Sequence, residues 1–190
     1  MPITLPEVCK QMKDHGCEWG SFTSPDFFSS VTPGPYKMSK ESQKPPAKAL
    51  YFSRIEPAYV DEESEGSGSD TTERLSLEWY NWLMGEDFRV EEYSTRSLVF
   101  AKFDMSRLTS DADSRFGKNG EWHRESRWMP VPHWQKVSEN YAGIHVQMSG
   151  KHRDVFPTWD VETVCVWDPT AVKEVYWFQN TGEPWEYNGM

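Results

Sequence analysis

The sequence predicts an α+β fold: a mainly antiparallel, aromatic-rich sheet with two or three packed helices and long irregular loops. Strand-like runs outnumber helical ones, and no strand–helix alternation appears that would build parallel βαβ units. The 190 residues are 15% aromatic, with ten Trp. Hydrophobic content of 37% and a mean hydropathy of -0.76 are low, but a chain this rich in aromatics reads as folded around an aromatic core rather than as disordered. Its length suits one domain over residues 1–190.

Taken in order, Thr4-Leu5-Pro6-Glu7 has the form of a capping box, with proline early in the first turn. Leu5, Val8, Cys9 and Met12 then share one helical face, and Gly16 offers a left-handed stop. Residues 21–46 are rich in Ser, Pro, Gly and Lys and read as an irregular loop pinned by aromatics. Residues 49–55 form a strand ending in Arg54-Ile55. Asp61 to Ser69 is acidic and small, without an apolar residue, and is expected to be a mobile loop over about 61–70. Asp70 is placed to cap a second helix with Glu73 in its first turn, Leu75, Trp79, Trp82 and Leu83 on its core face, and Gly85 closing it. Trp79 and Trp82 there read as core packing.

Ser97–Asp104 reads as an apolar strand and residues 106–120 as turns. Trp122, Trp128 and Trp134 recur every six residues, so strand alternation would put Trp122 and Trp128 on one face with Arg124 between them. The ordinary account of that stretch is an edge hairpin with its tryptophans inward, and a nucleotide-binding groove ranks below it because Glu121 and Glu125 dilute the positive field. Gly143–Met148 alternates cleanly, with Ile144, Val146 and Met148 inward and His145 exposed. Thr163–Trp167 is β-branched, aromatic or cysteine, a core strand stopped by Asp168-Pro169, and Val172–Phe178 reads as the next strand. The tail after Gln179 looks irregular.

Net charge is -10, and residues 61–92 carry most of it, with eleven acids against two arginines. Such a segment repels phosphate backbones and attracts basic surfaces. One expectation is therefore an acidic, non-enzymatic binding protein that engages a basic or nucleic-acid-binding partner protein through 61–92, with nucleic acid itself disfavoured. Cys9, Cys17 and Cys165 form neither a disulfide framework nor a metal quartet, so free thiols and no metal are expected. No run is long enough to span a bilayer and the first residues lack the pattern of a secretory signal, which leads to an expectation of a cytoplasmic protein.

The chemistry-bearing residues cluster around Trp159-Asp160-Val161-Glu162, two carboxylates at the entrance of the Thr163 strand. An arginine (Arg54) lies on an early strand, hydroxyls (Ser94, Thr95) stand ahead of a middle strand, and a glutamate (Glu162) begins a late strand. In this order the chain resembles the ADP-ribosyltransferases. The hydroxyl motif reads Ser94-Thr95-Arg96-Ser97, and Asp160 stands where that family carries Glu or Gln. The resemblance implies an NAD-dependent transferase cleaving the nicotinamide–ribose bond. Glu162 would be catalytic, with Asp160 as the second carboxylate. Arg54 would hold the phosphates, Ser94 and Thr95 would position ribose or glutamate, and Trp159 or Tyr51 would stack on nicotinamide.

Overall fold

The computed structural model describes residues 4–23, 42–45, 49–57, 74–85, 97–148, 151–180 and 185–187. Within them lie helices α1 (Leu5–Asp14), α2 (Glu78–Gly85) and α3 (Trp134–Asn140). The strands of the main sheet are β1 (Trp19–Thr23), β2 (Leu50–Pro57), β3 (Leu75–Leu77), β4 (Ser97–Phe103), β5 (Leu108–Ser110), β8 (Gly143–Val146), β9 (Thr163–Val166), β10 (Val172–Asn180) and β11 (Trp185–Tyr187). Between β5 and β8, β6 (His123–Arg124) and β7 (Val131–Pro132) make a separate two-stranded ladder. The fold is α+β. Its main sheet runs β11-β10-β4-β1-β2-β9-β8-β5, with β3 added alongside β2. Every described pairing is antiparallel except β5 with β8, so the sheet is mixed.

That order forces a curl. Strands β4 and β5 stand five places apart, which in a flat sheet is about 24 Å. The chain crosses between them from Phe103 to Leu108, a link that reaches at most about 18 Å even when extended, and part of it is a tight 3-10 turn capped by Asp104. The sheet therefore wraps, and its inner face encloses Trp19, Leu50, Phe52, Val99, Ala101, Phe103, Val164 and Val166. On the outer face, α1 covers one half of the sheet, burying Val8, Cys9 and Met12 against Phe22, Leu77, Leu98, Phe100 and Phe178. The other half carries an aromatic cluster of Phe116, Trp122, Trp134, Phe156, Trp159 and Trp167 under α3 and the loops around it.

Helix α1 forms as its sequence dictates. The Glu7 carboxylate accepts from Thr4 N at 2.7 Å and Thr4 Oγ1 at 2.9 Å. At the other end Gly16, at φ +74°, lets Cys17 N reach Met12 O and Gly16 N reach Lys13 O, the paired bonds of a Schellman stop. All three cysteines are buried free thiols, and burial pushes their pKa values up, that of Cys17 to about 11. A thiol held protonated is a poor nucleophile.

Several segments depart from the sequence reading. Leu75-Ser76-Leu77 is not the start of a helix: it pairs with Ile55–Pro57 as β3 and buries both leucines, and α2 begins only at Glu78. Three more β2 residues follow Arg54, which is therefore within the strand rather than closing it. The stretch 106–120 contains β5, and the tail contains β11. Trp122 and Trp128 do not share a face; the first is fully buried and the second 80% exposed. β9 and β10 are consecutive but not neighbours, since a turn stapled by Asp168 to Thr170 N carries the chain from one side of the curl to the other. Asp61–Ser69, the Asp70 cap, Ser94 and Thr95 lie outside the described residues, as does most of the acidic stretch 61–92. Among the described residues no helix is long and apolar enough to cross a membrane.

Gly143 sits where β8 is squeezed between β5 and β9, opposite Leu108 on one side and Val166 on the other. A Cβ there would fall 2.4 Å from the Cys165 carbonyl oxygen and 2.8 Å from Leu108 Cδ2. Backbone cannot retreat without breaking the ladder, so Gly143→Ala is expected to cost about 1–3 kcal/mol, measured as a fall in the urea midpoint.

Candidate functional site

Cross-strand register brings the first group of polar residues together. β2 pairs with β9 so that Ser53 faces Thr163, and the next step sets Arg54 beside Glu162. On the other side of β2, Trp19 stands directly opposite Arg54. β8 sets His145 opposite Val164, diagonal to Glu162 and within side-chain reach. One row on the inner face of the curled sheet therefore carries an indole from β1, a guanidinium from β2, a carboxylate from the residue leading into β9 and an imidazole from β8.

Their contacts are close. Arg54 Nη1 lies 3.0 Å from Glu162 Oε2 and 3.2 Å from Oε1, and His145 Nε2 lies 2.7 Å from Oε1. A carboxylate only accepts, so His145 presents Nε2–H to it. The edge of Trp19 packs against the His145 ring, with centroids 5.1 Å apart. Side-chain exposure is 45% for Arg54 but 18% and 16% for Glu162 and His145: the carboxylate is fixed at the bottom and the guanidinium reaches solvent. Among the described residues three of the roughly four acceptor positions of Glu162 are filled, leaving one on Oε2. An ion pair this exposed on one side stabilises the fold by about 1 kcal/mol at most.

Glu78, the first residue of α2, adds a second carboxylate by accepting from Glu162 N at 3.1 Å. Burial pushes its pKa up to about 7, a rise that the nearby Glu56 and Glu162 charges reinforce and the Glu162 N–H and Arg54 oppose. The folded chain thus holds a proton that the unfolded chain has released between about pH 4.5 and 7, so this group's contribution to stability falls as pH rises through that window. Glu78→Gln removes the slope. Because the side chain is only half-buried, the expected loss is about 1 kcal/mol of the stability difference between pH 5 and pH 8, read from urea midpoints at each pH.

The second group lies on the opposite face of the same strands. Gly20, Ser53 and Thr163 stand in one row across β1, β2 and β9; Leu77 and Phe100 close over Gly20, and a cleft opens beside them. Phe22, Tyr51, Trp79 and Trp159 wall it, Lys44 and Asp160 also line it, and the cleft holds about 280 Å³. Tyr51 and Trp159 lie 5.9 Å apart by ring centroids. Trp159 is almost wholly buried, and its indole N–H donates to Gln43 O.

The sequence candidates thus fall into two places. Arg54 and Glu162, 108 residues apart, meet directly, whereas Tyr51, Trp159 and Asp160 line the cleft on the other side of the sheet. The turn from Asp160 to Glu162 connects the two. His145, Trp19 and Glu78 were not among the candidates. His145, expected on an exposed polar face, is instead enclosed because that face is the inside of the curl. Among the described residues no group of three His, Cys, Asp or Glu could hold a metal ion. No protein-family model, curated protein or solved structure matches the chain.

Proposed function

We propose that the chain is an ADP-ribosyltransferase-like enzyme that takes NAD as substrate and cleaves the bond between nicotinamide and ribose. The observation that carries this reading is the meeting of Arg54 on β2 and Glu162 at the entrance to β9, 3.0 Å apart, with His145 closing on the same carboxylate at 2.7 Å. Breaking that bond builds positive charge on the ribose, and a carboxylate already held in place stabilises such a charge without reorganising as it forms. Glu162 suits that role because it is fixed by two donors yet keeps an acceptor position on Oε2. Arg54 holds Glu162 through Nη1 alone among the described residues, which leaves Nη2 and Nε to take an anionic phosphate in the planar, charge-assisted manner of arginine.

The test is nicotinamide release from NAD by the purified chain, followed chromatographically with and without protein acceptors. Removing one charge-assisted hydrogen-bonding group is worth roughly 1.5–3 kcal/mol, so Arg54→Ala is expected to raise KM about tenfold to a hundredfold and, because it also removes one of the two donors that fix Glu162, to lower kcat by about tenfold. A wild-type chain that releases no nicotinamide with any acceptor sinks the reading.

A further inference from the structure

We propose that the outer-face cleft is a separate binding site for a nucleobase-sized heteroaromatic ring carried on a mononucleotide. Its shape follows from the sheet: Ser53 and Thr163, in register on β2 and β9, form its floor, Leu77 and Phe100 fill the space over Gly20 beside them, and four rings, Phe22, Tyr51, Trp79 and Trp159, stand around it. A small cleft between aromatic walls suits a planar ring, which stacks on indole and phenol faces.

Size sets the limit. Sites that enclose drug-sized ligands run to about 300–1,000 Å³, so a cleft of about 280 Å³ holds one ring system with part of its sugar and not a whole dinucleotide. The polar groups point the same way. Ser53 is 94% buried, its side chain faces the cleft on the same side of β2 as Tyr51, and its Oγ has no hydrogen-bond partner among the described residues. A buried hydroxyl left unpaired is unfavourable, and a ring nitrogen or exocyclic amine seated on the floor would satisfy it. Thr163 by contrast has already committed its hydroxyl to Val161 O. Lys44 and the exposed Asp160, one charge of each sign, also line the cleft; they match a phosphate and a ribose hydroxyl. The net charge of -10 disfavours a long polyanion, which is why the ligand is a mononucleotide and not a strand.

This site stands independently of the Arg54–Glu162 reading, because it concerns binding on the other face of the sheet. The experiment is calorimetric titration of the full chain with adenosine 5′-monophosphate and, separately, with ribose 5-phosphate. The nucleotide is expected to bind in the cleft, and the sugar phosphate there about thirtyfold more weakly, since it lacks the stacking ring. Ser53→Ala should weaken binding about fivefold, the effect of one neutral hydrogen bond, while leaving the urea midpoint unchanged or raised. Trp79→Ala should weaken it about tenfold or more; if that variant does not fold, Trp79→Phe reads the same contact with a smaller loss. Absence of nucleotide binding at millimolar concentration, equal binding of the sugar phosphate, or an affinity indifferent to both Ser53→Ala and the Trp79 variants would overturn the proposal.

Discussion

Glu162→Gln is expected to lower the rate of nicotinamide release about a hundredfold to a thousandfold, the usual effect of removing one preorganised electrostatic group from a reacting centre. The substitution is nearly isosteric. Its amide oxygen can occupy the place of Oε1 and keep the bonds from His145 Nε2 and Arg54 Nη1, so only the 3.0 Å contact at Oε2 loses its acceptor. The negative charge is lost and the geometry is kept. Stability should therefore fall by no more than about 1 kcal/mol, which separates a chemical effect from a folding one. If Arg54 binds phosphate, KM for NAD should change little in this variant, in contrast to Arg54→Ala, and the two substitutions together assign binding and chemistry to different atoms of one ion pair. His145→Ala tests the same row from the other side. It leaves Glu162 with one fixing donor and is expected to reduce kcat by about tenfold, in line with the loss of an orienting hydrogen bond. A Glu162→Gln chain that turns over NAD at the wild-type rate would remove the carboxylate from the reaction and with it the proposed activity.

What could be read from the sequence was mostly local. The capping box at Thr4 and Glu7, the glycine stop at Gly16, the alternation of Gly143–Val146 and the β-branched run at Thr163 each depend on neighbours within a few residues, and each forms as its chemistry demands. Contacts decided by distant partners were not visible. Leu75-Ser76-Leu77 fits a helical face by spacing, but β2 offers it an edge that buries two leucines at once, and tertiary burial outweighs a propensity difference of tenths of a kcal/mol per residue. His145 shows the same limit at the site. On a flat sheet the face opposite Ile144 and Val146 would be wet; here the short link from β4 to β5 wraps the sheet, so the imidazole faces Trp19 and Glu162 rather than solvent. Arg54 and Glu162 were paired only by the order of motifs, and nothing in the composition around either residue announces a register that sets them side by side. Glu78 was hidden by the misplaced helix start, since a glutamate in mid-helix and one at the first position over a sheet end meet different surroundings.

The largest stability effect is expected at Trp122, and the sharpest control for it is Trp128, six residues on. Trp122 has no exposed surface. It packs edge to face with Phe116 at 5.0 Å and Tyr141 at 5.7 Å, and the Arg115 guanidinium lies 3.6 Å from its ring centroid. The backbone locks it as well, with Trp122 N donating to Arg115 O and His133 N to Trp122 O. Truncation leaves a hole inside the aromatic cluster that neighbours fixed from several elements cannot close, so Trp122→Ala should cost about 3–5 kcal/mol, out of a total stability of about 5–15 kcal/mol. In urea, where slopes run to about 3 kcal/mol per molar, that is a midpoint shift of about 1 M or more. Trp128 is 80% exposed, its ring approached by Arg127 at 4.9 Å, and Trp128→Ala should stay within about 0.5 kcal/mol of wild type. Equal shifts for the two variants would mean that the cluster beneath α3 is not packed as described, because burial is the one physical difference large enough to separate them.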